Sequence, residues 1–176
     1  MAILLEYVGV SCWHINENES AAMWELYLSG SEGVAIKTSL NNLNKCLWGV
    51  DCYFGEVQYV DYNKEMASYN LYEALFYKRK SFSHEREFRI ILFDNKQYHQ
   101  ASRKISEVGN IKDPIFSEFG TNIDCSLNLL IDEIYISPFS HNWFKDLISS
   151  VITKYNLNKE IIHSRLYRKP ADCYFL

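Results

Sequence analysis

Residues 85 to 92 read Glu-Arg-Glu-Phe-Arg-Ile-Ile-Leu, and this stretch limits the fold most, because it alternates in a way that only an extended chain can separate. Successive side chains of a strand point to opposite faces, so Glu85, Glu87 and Arg89 are expected on one face, with Phe88, Ile90 and Leu92 on the other. Same-face neighbours lie roughly 6.5–7 Å apart along a strand, which sets two carboxylates and a guanidinium in one row. The charged face is then wet or functional and the apolar face is core. The same row is also the pattern of an exposed strand face laced with opposite charges, and the residues alone leave both open.

Around this strand the chain switches period repeatedly. Ile3 to Trp13 is β-branched and aromatic enough for a buried strand. Asn16 to Glu19 offers an Asn cap with Glu three residues on, Ser20, Met23, Trp24 and Tyr27 follow at helical spacing, and Gly30 sits where that helix would stop. Strands are expected over Glu32–Ser39 and Asp51–Asp61, with Asn41 to Leu47 irregular or a short helix. Lys64 to Lys80 predicts a second helix whose basic Lys78-Arg79-Lys80 end suits either the helix dipole or a phosphate. Residues 94 to 121 are poor in periodic apolar positions and read as a long loop, with a short strand near Tyr98–Ser102. A strand over Glu133–Ser137, a helix over His141–Tyr155 and a strand over Ile161–Tyr167 close the chain as a parallel crossover. The expectation is one α+β domain over residues 1–176, a mixed sheet with about three helices.

At 176 residues the chain can bury a core without staples, and it has no apolar run of the length a membrane span requires. The net charge of −4 argues against a surface built wholly for nucleic acid, although basic residues cluster at Lys78–Lys80 and around Arg165, Arg168 and Lys169, which leaves room for a phosphorylated ligand. Five scattered cysteines without a Cys-x-x-Cys pair, and with no secretory signal ahead of them, predict reduced thiols and a cytoplasmic location. Cys12-x-His14 lacks a second ligand pair at zinc spacing, so no metal is expected.

Val10-Ser11-Cys12-Trp13, then Met23-Trp24 with Tyr27, Gly33-Val34-Ala35-Ile36, and Glu85-Arg86-Glu87-Phe88-Arg89, taken in that order, resemble the bacterial family known as domain of unknown function 2971. The likeness covers about residues 8 to 92, and Ile134 to Pro138 is compatible with it. Members of that family carry a longer N-terminal region, so any site residues it supplies are expected to be absent or replaced here. Glu85-Arg86-Glu87 is more distantly similar to the Glu-x-Glu element that begins a strand in ADP-ribosyltransferases, and Thr38-Ser39 is similar to the Ser-Thr-Ser segment of their arginine-modifying branch.

That second resemblance implies an ADP-ribosyltransferase-like fold and cleavage of a nicotinamide glycosidic bond with NAD as substrate. Glu87 would stabilise oxocarbenium-like charge, Arg89 would keep it ionised, and Glu85 would orient a ribose hydroxyl or the acceptor nucleophile. Lys78, Arg79 or Arg86 would meet pyrophosphate, Trp24 and Tyr27 would stack on a ring, Ser39 would line the site, and His14 would take the place of the early-strand Arg or His. The implied partners are a small nucleotide-type ligand and a macromolecular acceptor, in keeping with a toxin or defence role and without a membrane. Trp24 and Tyr27 are equally explained as core, Arg86 as a residue snorkelling at the edge of the apolar face, and Cys12 as packing. Two other functions fit the residues: a non-catalytic nucleotide or partner-binding module, and a metal-dependent nuclease using Glu85, Glu87 and Asp94, which the interleaved arginines disfavour.

Overall fold

The strand Glu87–Phe93 forms as the alternation requires, but it is buried on both faces. Phe88 and Ile90 are covered on one side, and Glu87, Ile91 and Phe93 on the other. A computed structural model describes residues 7–65, 70–93, 120 and 122–168. Within them the order is β1 (Val8–His14), α1 (Ala21–Tyr27), β2 (Val34–Lys37), α2 (Leu40–Cys46), β3 (Cys52–Glu56), β4 (Gln58–Val60), α3 (Leu71–Ala74), β5 (Tyr77–Arg79), a 3₁₀ helix (Lys80–Glu85), β6 (Glu87–Phe93), α4 (Leu127–Leu130), β7 (Glu133–Ile136), α5 (Asn142–Lys154) and β8 (Glu160–His163). The class is α+β. The chain forms two compact units, Met1–Asn16 with Gly49–Ile123 and Glu17–Trp48 with Asp124–Leu176. Among the described residues no helix is long and apolar enough to cross a membrane.

In the first unit β6 is the middle strand of an antiparallel sheet ordered β1-β6-β3. Its composition explains that place, since a strand flanked on both edges and covered on both faces needs β-branched and aromatic side chains. Val57 is the pivot between two pairings. Its N–H donates to the Glu87 carbonyl at 2.8 Å, and the next N–H, of Gln58, donates to the Phe76 carbonyl at 2.8 Å, so the chain passes from β6 to a short parallel pair of β4 and β5. That pairing corrects the expected helix over Lys64–Lys80. Asn70 caps only the four residues Leu71–Ala74, and Tyr77, a good strand former, then takes Lys78 and Arg79 into β5. The basic run therefore does not end a helix.

In the second unit the sheet order is β2-β7-β8, with β2 antiparallel and β8 parallel to β7. The parallel pair joined through α5 bears out the expected crossover and the mixed sheet. Ser20 rather than Asn16 caps α1, its Oγ accepting from the Met23 N–H at 3.4 Å, and the helix ends at Tyr27, ahead of Gly30. Strand β8 stops at His163 instead of Tyr167, because Ser164 turns the chain by accepting the Leu166 N–H at 3.3 Å. The core here is Trp24, Leu43, Ile131, Ile134 and Ile136. The beginning of the expected first strand at Ile3, the long loop over residues 94–119 with its short strand, Asp94, Lys169 and Cys173 lie outside the described residues.

Ile136 is 0% exposed in the middle strand of its sheet. Truncating it to alanine removes apolar contact and leaves a cavity, so Ile136→Ala should cost about 2–5 kcal/mol. Urea unfolding followed by circular dichroism reads this as a lower midpoint.

Candidate functional site

Lys78, Glu85, Glu87 and Arg89 converge, but not as a row on one strand. Glu85 belongs to the 3₁₀ helix, and Arg86 between it and β6 adopts a left-handed conformation with φ 40°. For a non-glycine residue that conformation costs roughly 1–2 kcal/mol, and it is held by the Ile15 N–H donating to the Arg86 carbonyl at 2.9 Å. The turn lets both carboxylates reach one ammonium. Lys78 Nζ donates to Glu85 Oε2 at 2.7 Å and to Glu87 Oε2 at 3.2 Å.

Arg89 closes the other side. Its Nε donates to Glu87 Oε1 at 2.9 Å and its Nη2 to Glu87 Oε2 at 3.1 Å, the bidentate fork that suits a carboxylate. Its Nη1 donates to the Leu75 carbonyl just after α3. The Glu87 backbone N–H donates to Tyr59 Oη at 2.8 Å, a partner that strand alternation gave no means to foresee. Glu85 and Glu87 are 7% and 6% exposed, so the expected wet face is in fact interior.

Electrostatics follow from that enclosure. Burial alone would raise the Glu87 pKa, but the combined hydrogen bonds from Arg89, Cys12 and Lys78, with the Arg89 charge, outweigh it and lower the pKa to about 2. Lys78 loses hydration yet is held above its ordinary value by Glu85 and Glu87. Cys12 stands opposite Arg89 in the strand register, and desolvation together with the Glu87 carboxylate pushes its thiol up to about 11. A thiol held protonated in this way is a poor nucleophile. Two cations and two carboxylates cancel, so the cluster offers little net field to a developing cation or to a metal ion. Among the described residues no group of His, Cys, Asp and Glu is arranged to hold a metal.

The other expected residues are spread out. His14 does join this neighbourhood, paired with Glu87 across β1 and β6. Its Nδ1 lies 2.6 Å from the Glu85 carbonyl, which can only accept, so Nδ1 carries a proton, and the buried Nε2 has no hydrogen-bond partner among the described residues. Arg86 is exposed and donates to Asn16 Oδ1 at 3.3 Å. Trp24, Tyr27 and Ser39 all belong to the second unit. Trp24 is buried with Nε1 donating to Glu19 Oε1 at 3.2 Å, Tyr27 is 67% exposed, and Ser39 caps α2 by accepting the Asn42 N–H at 3.2 Å. Packing and capping account for Trp24 and Ser39.

An open cleft of about 670 Å³ lies elsewhere in the first unit, lined by Phe54, Glu56, Gln58, Glu73, Phe76 and Tyr77 with Gly55 and Val57. None of Lys78, Glu85, Glu87 or Arg89 lines it. Gly55 is required there, because a Cβ would stand 2.7 Å from Phe76 Cε1 and force the ring aside. Comparison with family models, with curated proteins and with solved structures finds no match to this chain.

Removing one partner of a buried pair strands the other, so Arg89→Ala should destabilise the protein by about 3–5 kcal/mol in urea unfolding. The pH dependence has a definite sign. With Glu87 at about 2 when folded against an ordinary 4.5, the unfolded chain binds its proton first, so this contribution is complete above about pH 5 and is lost as pH falls through 2. Thermal melts from pH 7 to pH 2 should show that decline, and Glu87→Gln should make it shallower.

Proposed function

We propose that this protein is a non-catalytic binding module for a nucleotide-type ligand whose base enters the cleft of the first unit. The observation that carries this is the division of labour in that unit. The carboxylates suited to catalysis are consumed by Lys78 and Arg89, whereas the cleft presents rings together with Glu56 and Gln58, which make no side-chain hydrogen bond among the described residues, and Glu73, which accepts only from Asn70 Nδ2 at 3.3 Å. Phe54, Phe76 and Tyr77 supply faces on which a base can stack, and Gln58, Glu56 and Glu73 supply partners for its amine and ring N–H groups. Kinship with the domain of unknown function 2971 family is proposed on the order of the sequence motifs. A cytoplasmic location is supported by the free thiols Cys12, Cys46, Cys52 and Cys125.

A second reading has an observation of its own. His14, whose Nε2 has no hydrogen-bond partner among the described residues, is paired with Glu87 across β1 and β6, and Glu87 is held ionised. That pairing supports the glycosidic chemistry implied by the likeness to ADP-ribosyltransferases, in which NAD is substrate and Glu87 meets the developing cation. It requires Lys78 to swing away from Glu87 when NAD binds.

Calorimetric titration with NAD and with AMP, run beside an assay for nicotinamide released from NAD, separates the two. Saturable binding without release is expected. Stacking on an aromatic ring is worth about 1–3 kcal/mol per base, so Phe76→Ala should weaken binding roughly 5- to 100-fold. Nicotinamide release that disappears in Glu87→Gln would overturn the binding module in favour of the enzyme, and failure of both NAD and AMP to bind would remove the nucleotide.

A further inference from the structure

The second unit carries a polar cavity that the proposed function does not use. It occupies about 280 Å³, at the small end of the ~300–1,000 Å³ of small-molecule sites, and is lined by Ser140, Asn142, His163, Ser164, Tyr167 and Arg168 with Pro138. Pro138 and Ser140 follow β7 and Asn142 opens α5, while His163 ends β8 and Ser164, Tyr167 and Arg168 follow it, so the lining gathers at the carboxyl ends of the parallel strands β7 and β8. In sheets built from parallel crossovers, that end is where ligands collect, because the loops there diverge and the crossover helix begins beside them.

The lining is a set of donors without a carboxylate. Arg168 makes no side-chain ion pair or hydrogen bond among the described residues, although its backbone N–H donates to the Arg165 carbonyl at 2.9 Å. Ser164 is 3% exposed, and its Oγ accepts only the Leu166 N–H at 3.3 Å, so its own O–H has no acceptor among the described residues. A buried hydroxyl proton without an acceptor calls for one from a ligand. His163 and the Asn142 amide add N–H donors and likewise have no hydrogen-bond partner among the described residues. The nearby carboxylate of Glu25 is outside the lining and accepts from Tyr167 Oη at 2.9 Å. Ser140 is committed as well, donating to the Ser31 carbonyl at 3.0 Å, so it shapes the wall without adding a donor. The start of α5 has no side-chain cap, which adds a favourable dipole to a donor set that stands without it.

We propose that this cavity is a phosphate-binding site, with the Arg168 guanidinium and the Ser164 hydroxyl as its principal donors and Asn142 and His163 as flanking ones. A tetrahedral dianion matches it on three counts: it can accept from these donors, it is small enough for the volume, and it neutralises a guanidinium that has no ion pair among the described residues. Tyr167, tilted against Phe139 at 5.0 Å between ring centroids, stands beside the cavity where whatever carries the phosphate would extend. The site lies in a different unit from the base cleft and does not depend on that cleft being occupied.

The test is a two-dimensional NMR titration of the whole chain with inorganic phosphate and, separately, with ribose 5-phosphate, against ribose and sodium chloride of equal ionic strength as blanks. Saturable shifts confined to residues 138–142 and 163–168 are expected, with Kd below about 10 mM. Tighter binding of ribose 5-phosphate assigns the site to a phosphoester, and tighter binding of inorganic phosphate assigns it to the free anion. Arg168→Ala should weaken binding at least about tenfold, and Arg168→Lys by less, because charge is kept while the fork is lost. Asn142→Asp should also weaken it about tenfold without loss of fold, since an acid in the first turn of a helix is favourable there while it repels the ligand. Shifts reproduced by the blanks, no saturation by about 20 mM, or binding unchanged in both Arg168→Ala and Asn142→Asp would overturn the site.

Discussion

Burying Glu87 in the central strand obliges the first unit to bring counter-charge to it, and much of the unit's local geometry answers that demand. Arg89 lies two residues on along the same strand and supplies the fork. Because its remaining nitrogen also donates to the Leu75 carbonyl, the segment after α3 is tied to β6 through one guanidinium. Lys78 reaches the same carboxylate from β5, and β5 can be there only because Val57 and Gln58 turn the chain out of β3 pairing and into β4 pairing. The left-handed Arg86 is part of the same solution, since a continuous strand through Glu85 would have carried that carboxylate along β6 instead of folding it back over Lys78. A buried pair of this kind adds less net stability than its short distances suggest, because desolvation offsets the attraction. It is specific nonetheless, as each charge has a place only when β1, β4, β5 and β6 are all in register.

This explains how far the sequence could be read. The strand Glu87–Phe93 was legible from its alternation, and so were α1, α5 and the crossover between β7 and β8, because each rests on a local period or a local order of elements. The convergence of Lys78, Glu85, Glu87 and Arg89 was legible as charge density, but its meaning was not. Alternation cannot distinguish a solvated polar face from one buried under another pair of strands, and although β4 falls within the strand expected over Asp51–Asp61, its partner β5 was hidden inside an apparent helix. Met66, Tyr69, Tyr72 and Phe76 recur at a spacing that fits a helix, while Asn70 and Tyr77 set the boundaries that decide otherwise. Trp24 and Ser39 have a plainer account. Their sequence neighbourhoods carry complete helical explanations, packing for one and capping for the other.

The two units also place their buried polar groups differently, and that bears on what each can recognise. In the first, charge is buried on β6 and at the end of the 3₁₀ helix and is paired there with Lys78 and Arg89, while the cleft of the same unit is lined by rings, an amide and the carboxylates of Glu56 and Glu73. In the second, the buried polar residues Ser137, Ser140 and Ser164 lie in the segments that leave the strands, where each hydroxyl satisfies a backbone group. Ser137 and Ser164 find an N–H to accept two residues on in the turning backbone, whereas Ser140 donates to the distant Ser31 carbonyl. Strands β7 and β8 run parallel, so both of these segments emerge at the same end of the sheet. Ser140 and Ser164 are thereby gathered with Asn142 and His163 around one cavity, and Arg168, whose guanidinium has no partner among the described residues, adds a positive charge to a lining without a carboxylate.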